Sequence, residues 1–165
     1  MFSGPVVRPS TRQSGGEELG DSPLRAGYLR SSTGRGLAVV ADRKVSAVLC
    51  SADLARSQEF YEQMVGLKLS QETIKNHLLF DCGDGTTLLV YGRPTPNQAD
   101  HTQVRFWSTD LEAGVRELAA RGVVFEDYDF PALKTVDHVA TTPGIGKSAW
   151  LKDPDGNTLA LFQPE

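Results

Sequence analysis

The chain is predicted to be an α+β protein made of two tandem βαβββ modules whose curved mixed sheets enclose a cavity, and three observations lead there. First, Asp-Gly-x-Thr-Leu followed by an apolar pair and an aromatic occurs twice, as Asp84-Gly85-Thr86-Thr87-Leu88-Leu89-Val90-Tyr91 and as Asp155-Gly156-Asn157-Thr158-Leu159-Ala160-Leu161-Phe162. Second, each copy is preceded by a strand pattern and then a helix pattern that stops at a glycine, Gly66 or Gly122. Third, Pro94 and Pro96 break the chain between the copies, because closely spaced prolines end both helix and ladder. An internal repeat of this kind dictates the architecture.

The elements follow in order. Residues 1–43 are rich in Ser, Gly, Arg and Pro without apolar periodicity and are expected to be a disordered tail. A single domain is expected over 44–163, with a first module at 44–91, a linker at 92–101 and a second module at 102–163. In the first module Val45 to Cys50 reads as a strand. A helix from about Asp53 to Val65 follows, with Leu54, Tyr61 and Val65 on one stripe and Gly66 as its left-handed end. Leu67 to Gln71, Asn76 to Asp81 and Thr86 to Tyr91 are three more strands.

The second module repeats the plan with a strand from Thr102 to Trp107 and a helix from Asp110 to Arg121. Thr109-Asp110-Leu111-Glu112 fits a capping box, and Leu111, Val115, Leu118 and Ala119 form the buried stripe. Strands are expected at Val123 to Asp127, at Ser148 to Leu151, and after the turn Asp153-Pro154-Asp155-Gly156-Asn157. Helix starts lie 57 residues apart, at 53 and 110, but the Asp-Gly turns lie 71 apart, at 84 and 155. The second copy therefore holds 14 extra residues, expected as a long loop over 128–146.

Composition narrows the function. The 165 residues are 39% hydrophobic and 23% charged, and no stretch approaches the roughly 20 apolar residues of a membrane span. Residues 1–43 hold six of the 17 basic residues and four of the 21 acidic ones, so the remainder is acidic and nucleic acid is not expected as a partner. Cys50 and Cys82 show no metal or disulfide spacing and are expected as reduced thiols in a cytoplasmic protein. Glu17, Glu18 and Asp21 argue against a transit peptide.

Asp53-Leu54 with Phe60-Tyr61 and Gly66, together with Asp153-Pro154-Asp155-Gly156-Asn157 and the duplicated Asp-Gly-x-Thr-Leu, resemble the vicinal oxygen chelate superfamily over about Lys44 to Phe162. That group holds glyoxalase I, bleomycin-resistance proteins, extradiol dioxygenases and methylmalonyl-CoA epimerase. The resemblance implies that each helix lies outside its sheet and that two modules together enclose a cavity; in many members those two modules come from different subunits, which implies a homodimer with two cavities. Val45, Ala47 and Leu49, like Val104 and Phe106, alternate with a more polar set including Ser46, Gln103 and Arg105. The polar set is expected to face the cavity.

Family enzymes hold a divalent metal on that face, and the resemblance puts its four ligand positions on Ser46, Gln103, Leu89 and Ala160. Leu and Ala offer no donor, so no metal and no cofactor is expected. His77, His101 and His138 do not cluster, and the Gly-rich stretches lack nucleotide-binding patterns. The ligand-binding set is expected to be Gln103, Arg105, Trp107, Tyr91, Phe162 and Ser46, with Trp150 in the core; Arg105 beside aromatics suits an anionic or planar ligand.

Three readings stay open. The first is a metal-independent small-molecule binding protein that sequesters an anionic or aromatic ligand. The second is a glyoxalase-like lyase or isomerase, or an extradiol-dioxygenase-like enzyme, either with an atypical metal site or metal-free with Arg105, Asp137 and His138. The third is a dimeric accessory module without a small ligand.

Overall fold

The computed structural model describes residues 44–71 and 74–165, so the expected disordered tail lies outside the described residues. In the first module, strand β1 (Ala47–Ser51) feeds helix α1 (Leu54–Glu59). Asp53 caps it in an extended conformation, its carboxylate accepting the N–H of Ala55 and of Arg56, both at 3.1 Å. The helix continues as a π-helical turn, Phe60–Val65, and ends at Gly66 with φ 84. Ser57, Phe60 and Tyr61 form its buried face, while Leu54 and Val65 are half-buried at the margins.

Strands β2 (Lys68–Leu69), β3 (His77–Asp81) and β4 (Thr87–Gly92) complete the first sheet. The second module opens with β5 (Thr102–Trp107), α2 (Leu111–Ala120) and β6 (Phe125–Glu126). Asp110 caps α2 through Ala113 N at 2.9 Å. The cap is therefore Asp110 and not Thr109, and Glu112 reaches across to Lys147 instead of back to the helix start.

The 14-residue insertion is no bare loop. It contains the hairpin β7 (Asp129–Phe130) and β8 (Leu133–Lys134), and then β9 (Ala140–Thr142). Strands β10 (Gly146–Lys152) and β11 (Thr158–Pro164) close the chain. Gly146 is required where β10 starts: at φ 135, an added Cβ would lie 2.2 Å from the Gln163 carbonyl oxygen.

The two sheets share one order, β1-β4-β3-β2 and β5-β11-β10-β6, with β9 also paired to β10. In each sheet the first strand runs parallel to the last and the rest are antiparallel. This is the βαβββ repeat seen in the sequence. Pairing starts at Ala47, so Val45, expected inside, is 80% exposed and has no ladder partner.

Each sheet buries one face under its helix. Leu49, Leu78, Phe80, Leu88 and Val90 pack with Phe60 and Tyr61, while Val104, Phe125, Leu151 and Leu159 pack with Leu111, Val115 and Leu118. Fully burying an aliphatic or aromatic side chain of this size stabilises by about 1.5–3 kcal/mol, so these positions dominate folding. The opposite faces stay open.

The modules lock at the closing turn. Asp153 folds the turn on itself, its Oδ1 accepting Asp155 N and Asn157 N at 2.9 Å each. Its Oδ2 receives the Tyr61 hydroxyl at 2.7 Å and Asn157 Nδ2 at 2.6 Å. Asn157 Nδ2 also donates to the Cys50 carbonyl at 2.9 Å. Asp155 then enters the first module, accepting Ser51 Oγ at 2.7 Å, Ala52 N at 2.8 Å and Ser57 Oγ at 3.2 Å. Burial, followed by the neighbouring Asp153, drives the Tyr61 phenol far above its ordinary pKa, so it remains a donor.

Replacing Asp155 by Ala leaves the buried Ser51 hydroxyl and the Ala52 N–H without their acceptor, while Ser57 keeps its bond to Ser51 Oγ at 2.8 Å. At about 1–3 kcal/mol for each unsatisfied group, partly relieved by rearrangement, Asp155→Ala is expected to cost about 3 kcal/mol in urea unfolding. A loss under about 1 kcal/mol would contradict the lock.

Candidate functional site

Strand register arranges the open face of the second sheet in rows. Glu126, Trp150, Ala160 and Arg105 stand side by side, and Ala140, Ser148, Phe162 and Trp107 form the next row. The Arg105 guanidinium carbon lies 4.4 Å from the Phe162 ring centre and 5.0 Å from that of Trp107. Trp107 and Phe162 meet edge to face, with centroids 5.4 Å apart at 83°. Phe162 is buried, but Trp107 is 67% exposed.

Among the described residues no carboxylate pairs with Arg105. Its charge is held in place by aromatic faces and remains available to solvent. The arrangement can accept a carboxylate, phosphate or sulfonate through the guanidinium and stack a planar group against Trp107.

Trp150, expected in the core, stands on this open face and is half-buried. Period-two alternation from the helix-facing Ala149 and Leu151 puts it there. Its Nε1 donates to Thr102 Oγ1 at 3.1 Å, and its ring meets that of Tyr128 edge to face at 5.4 Å. Tyr128 donates to Glu126 Oε2 at 2.7 Å and is followed by the exposed Phe130, with ring centres 6.2 Å apart. Sequence reasoning missed Tyr128 because the insertion was read as loop.

The other expected residues lie elsewhere. Gln103 is half-buried: its Oε1 accepts Asn97 Nδ2 at 3.0 Å and Thr158 N at 3.1 Å, and its Nε2 donates to Asn157 Oδ1 at 3.4 Å. It ties the linker to the closing turn. Tyr91 belongs to the first sheet, aligned with Cys50 and His77, and its ring centre is 6.5 Å from that of His77. Ser46 is exposed beside the first sheet, its hydroxyl 2.6 Å from Thr87 Oγ1. Thus Arg105, Trp107 and Phe162 come together, whereas Gln103, Tyr91 and Ser46 do not join them.

The four positions that the resemblance assigns to a metal do not fit one. Leu89 and Ala160 are aliphatic, Ser46 shares a hydroxyl bond with Thr87, and the Gln103 oxygen already receives two donors. Among the described residues no group of three His, Cys, Asp or Glu side chains is placed to hold a metal ion.

Asp137 and His138 also stay apart from Arg105. With φ of 50 and 68 they form the two-residue turn between Val136 and Val139. His138 Nδ1 is 2.9 Å from Asp127 Oδ2, and its ring stacks on Phe125, a residue of the helix-facing core. That is the side of the sheet away from Arg105.

Two helix-backed βαβββ sheets, locked at one turn and each presenting an open face, define a protein of the paired βαβββ-module class. The model of the Glyoxalase/Bleomycin resistance protein/Dioxygenase superfamily matches residues 43–161, and the chain belongs to that family.

No protein of curated function matches the sequence. Among solved structures, TnmS3, an antibiotic-binding protein from a Streptomyces species, is 22% identical, with a TM-score of 0.57 over 79% of this chain and 100% of that one. A lactoylglutathione lyase from Agrobacterium tumefaciens is 20% identical, with a TM-score of 0.53 over 74% and 93%. A glyoxalase family protein from Bacillus anthracis is 15% identical, with a TM-score of 0.59 over 74% and 95%. These likenesses establish the shared fold. No helix among the described residues is long and apolar enough to cross a membrane.

Desolvation, and then the hydrogen bond to Glu126, push the Tyr128 phenol up to about 12. Its neutral form is favoured in the fold, so its contribution to stability is complete below the ordinary value near 10 and lost as pH rises through about 12. Phenolate absorbance of wild type minus Tyr128→Phe is expected to show that late titration. A difference midpoint near 10 would contradict it.

Proposed function

We propose that the protein binds a small anionic or aromatic molecule, without a metal, against the open face of the second sheet. The observation that carries this reading is Arg105, stacked on Phe162 and Trp107 with no carboxylate partner among the described residues. A cation left unpaired beside an exposed indole is suited to recognition, whereas a structural arginine is ordinarily neutralised by a nearby acid. The unsuitability of Ser46, Gln103, Leu89 and Ala160 as a ligand set supports binding over the metal-assisted chemistry of the family's enzymes. The antibiotic-binding role in the name of TnmS3 is compatible with such a use of the fold.

A second copy of the chain completes the site. Trp107 at 67% and Val48 at 54% leave both open faces uncovered in one chain, and a homodimer that apposes them encloses the ligand. Light scattering is expected to give twice the chain mass. A monomer at micromolar concentration would remove the dimer from the account.

Aromatic carboxylates such as 2-naphthoate are expected to quench tryptophan fluorescence saturably and to raise the melting temperature. Hydrogen bonds to a charged group contribute about 1.5–3 kcal/mol, so Arg105→Gln is expected to weaken binding by at least about tenfold. Trp107→Ala is expected to weaken aromatic probes more than aliphatic carboxylates. Equal affinity in wild type and Arg105→Gln, or no binding across the panel, would contradict the proposal.

A further inference from the structure

The 14-residue insertion, which breaks the internal repeat, also builds a concave surface against α2. Arg116, Val115 and Glu112 of α2 form one wall of a cleft of about 680 Å³, and Lys134, Val136 and Asp137 form part of the other. Lys147 and Val139 border it as well. It lies on the helix side of the second sheet, away from Arg105, and its volume falls within the range of about 300–1,000 Å³ found for small-ligand sites.

Pairing among the charged residues leaves two groups over. Lys147 donates to Glu112 and, with a smaller contribution from Arg116, holds that carboxyl below its ordinary range. Lys134 pairs with Asp129 at 3.0 Å. The side chains of Arg116 and Asp137 make neither hydrogen bond nor ion pair among the described residues. One cation and one anion that make no hydrogen bond or ion pair among the described residues therefore border the same cleft.

Apolar surface accompanies them. Val115 is buried beneath, Val139 is half-buried, and Val136 is 65% exposed. Asp137 is presented by a fixed turn: Val136 and Val139 exchange backbone hydrogen bonds at 2.9 and 3.0 Å, and His138 is anchored by Asp127 and Phe125. Little ordering remains to be done on binding, which favours recognition.

We propose that this cleft is a second binding site, for a small zwitterion with an aliphatic body, of the free amino acid or dipeptide class. Its carboxylate meets Arg116, its ammonium meets Asp137, and its side chain covers Val136 and Val139. The site is independent of the one at Arg105.

The test is calorimetric titration of the full-length Arg105→Gln variant, which lacks the carboxylate anchor of the other face, with L-leucine and leucyl-leucine. The controls are 4-methylpentanoate, which lacks the ammonium group, and isoamylamine, which lacks the carboxylate. Saturable binding of a zwitterion is expected in that background, at least tenfold weaker when Arg116→Gln or Asp137→Asn is added. Asn tolerates the positive φ of position 137, so the turn survives and an unchanged melting temperature verifies it. Absence of binding, equal affinity in either charge variant, or equal affinity for 4-methylpentanoate would overturn the proposal. The last result would make the cleft a plain anion site.

Discussion

Asp155 is 3% exposed, and among the described residues its carboxylate meets no cation; its partners are the hydroxyls of Ser51 and Ser57 and the N–H of Ala52. Leaving a carboxylate buried without donors costs several kcal/mol, so the docked turn depends on these donors. They are supplied by the end of β1 and the start of α1, which Asp53 caps. Asp153 satisfies the same demand from the other side by taking the Tyr61 hydroxyl. Each module thus completes the hydrogen bonding of the other.

Because the turn leads directly into β11, this lock also sets where β11 runs. Ala160 and Phe162 are placed by it, and β5, parallel to β11, brings Arg105 and Trp107 beside them. Gln103 braces the junction by bonding both the linker and Thr158 N. The rigid part of the molecule is therefore close to the candidate site, which suits pre-organised recognition. At Ala160, one of the positions that the family resemblance assigns to a metal ligand, an aliphatic side chain leaves a face defined by aromatic rings and one guanidinium.

Much of this was legible in the chain. The duplicated Asp-Gly-x-Thr-Leu specifies two sheets of the same strand order, and alternation along Thr102 to Trp107 puts Arg105 and Trp107 on one face, because a strand has only two faces. The two Asp-Gly turns, alike in sequence, differ in environment: Asp84 is exposed while Asp155 is buried between modules. That difference is tertiary and leaves no local signal. Short β-ladders within 128–146 were hidden for a related reason, since two-residue strands carry no period. Trp150 looked like core by size alone, whereas its neighbours Ala149 and Leu151 already occupy the helix-facing side.

The account stands on the proposal that the open face of the second sheet binds its ligand through a stacked arginine and not through a metal. Metal content of untagged protein, measured by elemental analysis after incubation with Zn, Ni, Mn and Fe(II) and exhaustive dialysis, tests that directly. The account predicts metal well below one equivalent per chain for every ion. Retention near one equivalent, abolished by substituting Gln103 or a histidine, would contradict it and return the protein to the metal-dependent enzymes of its family.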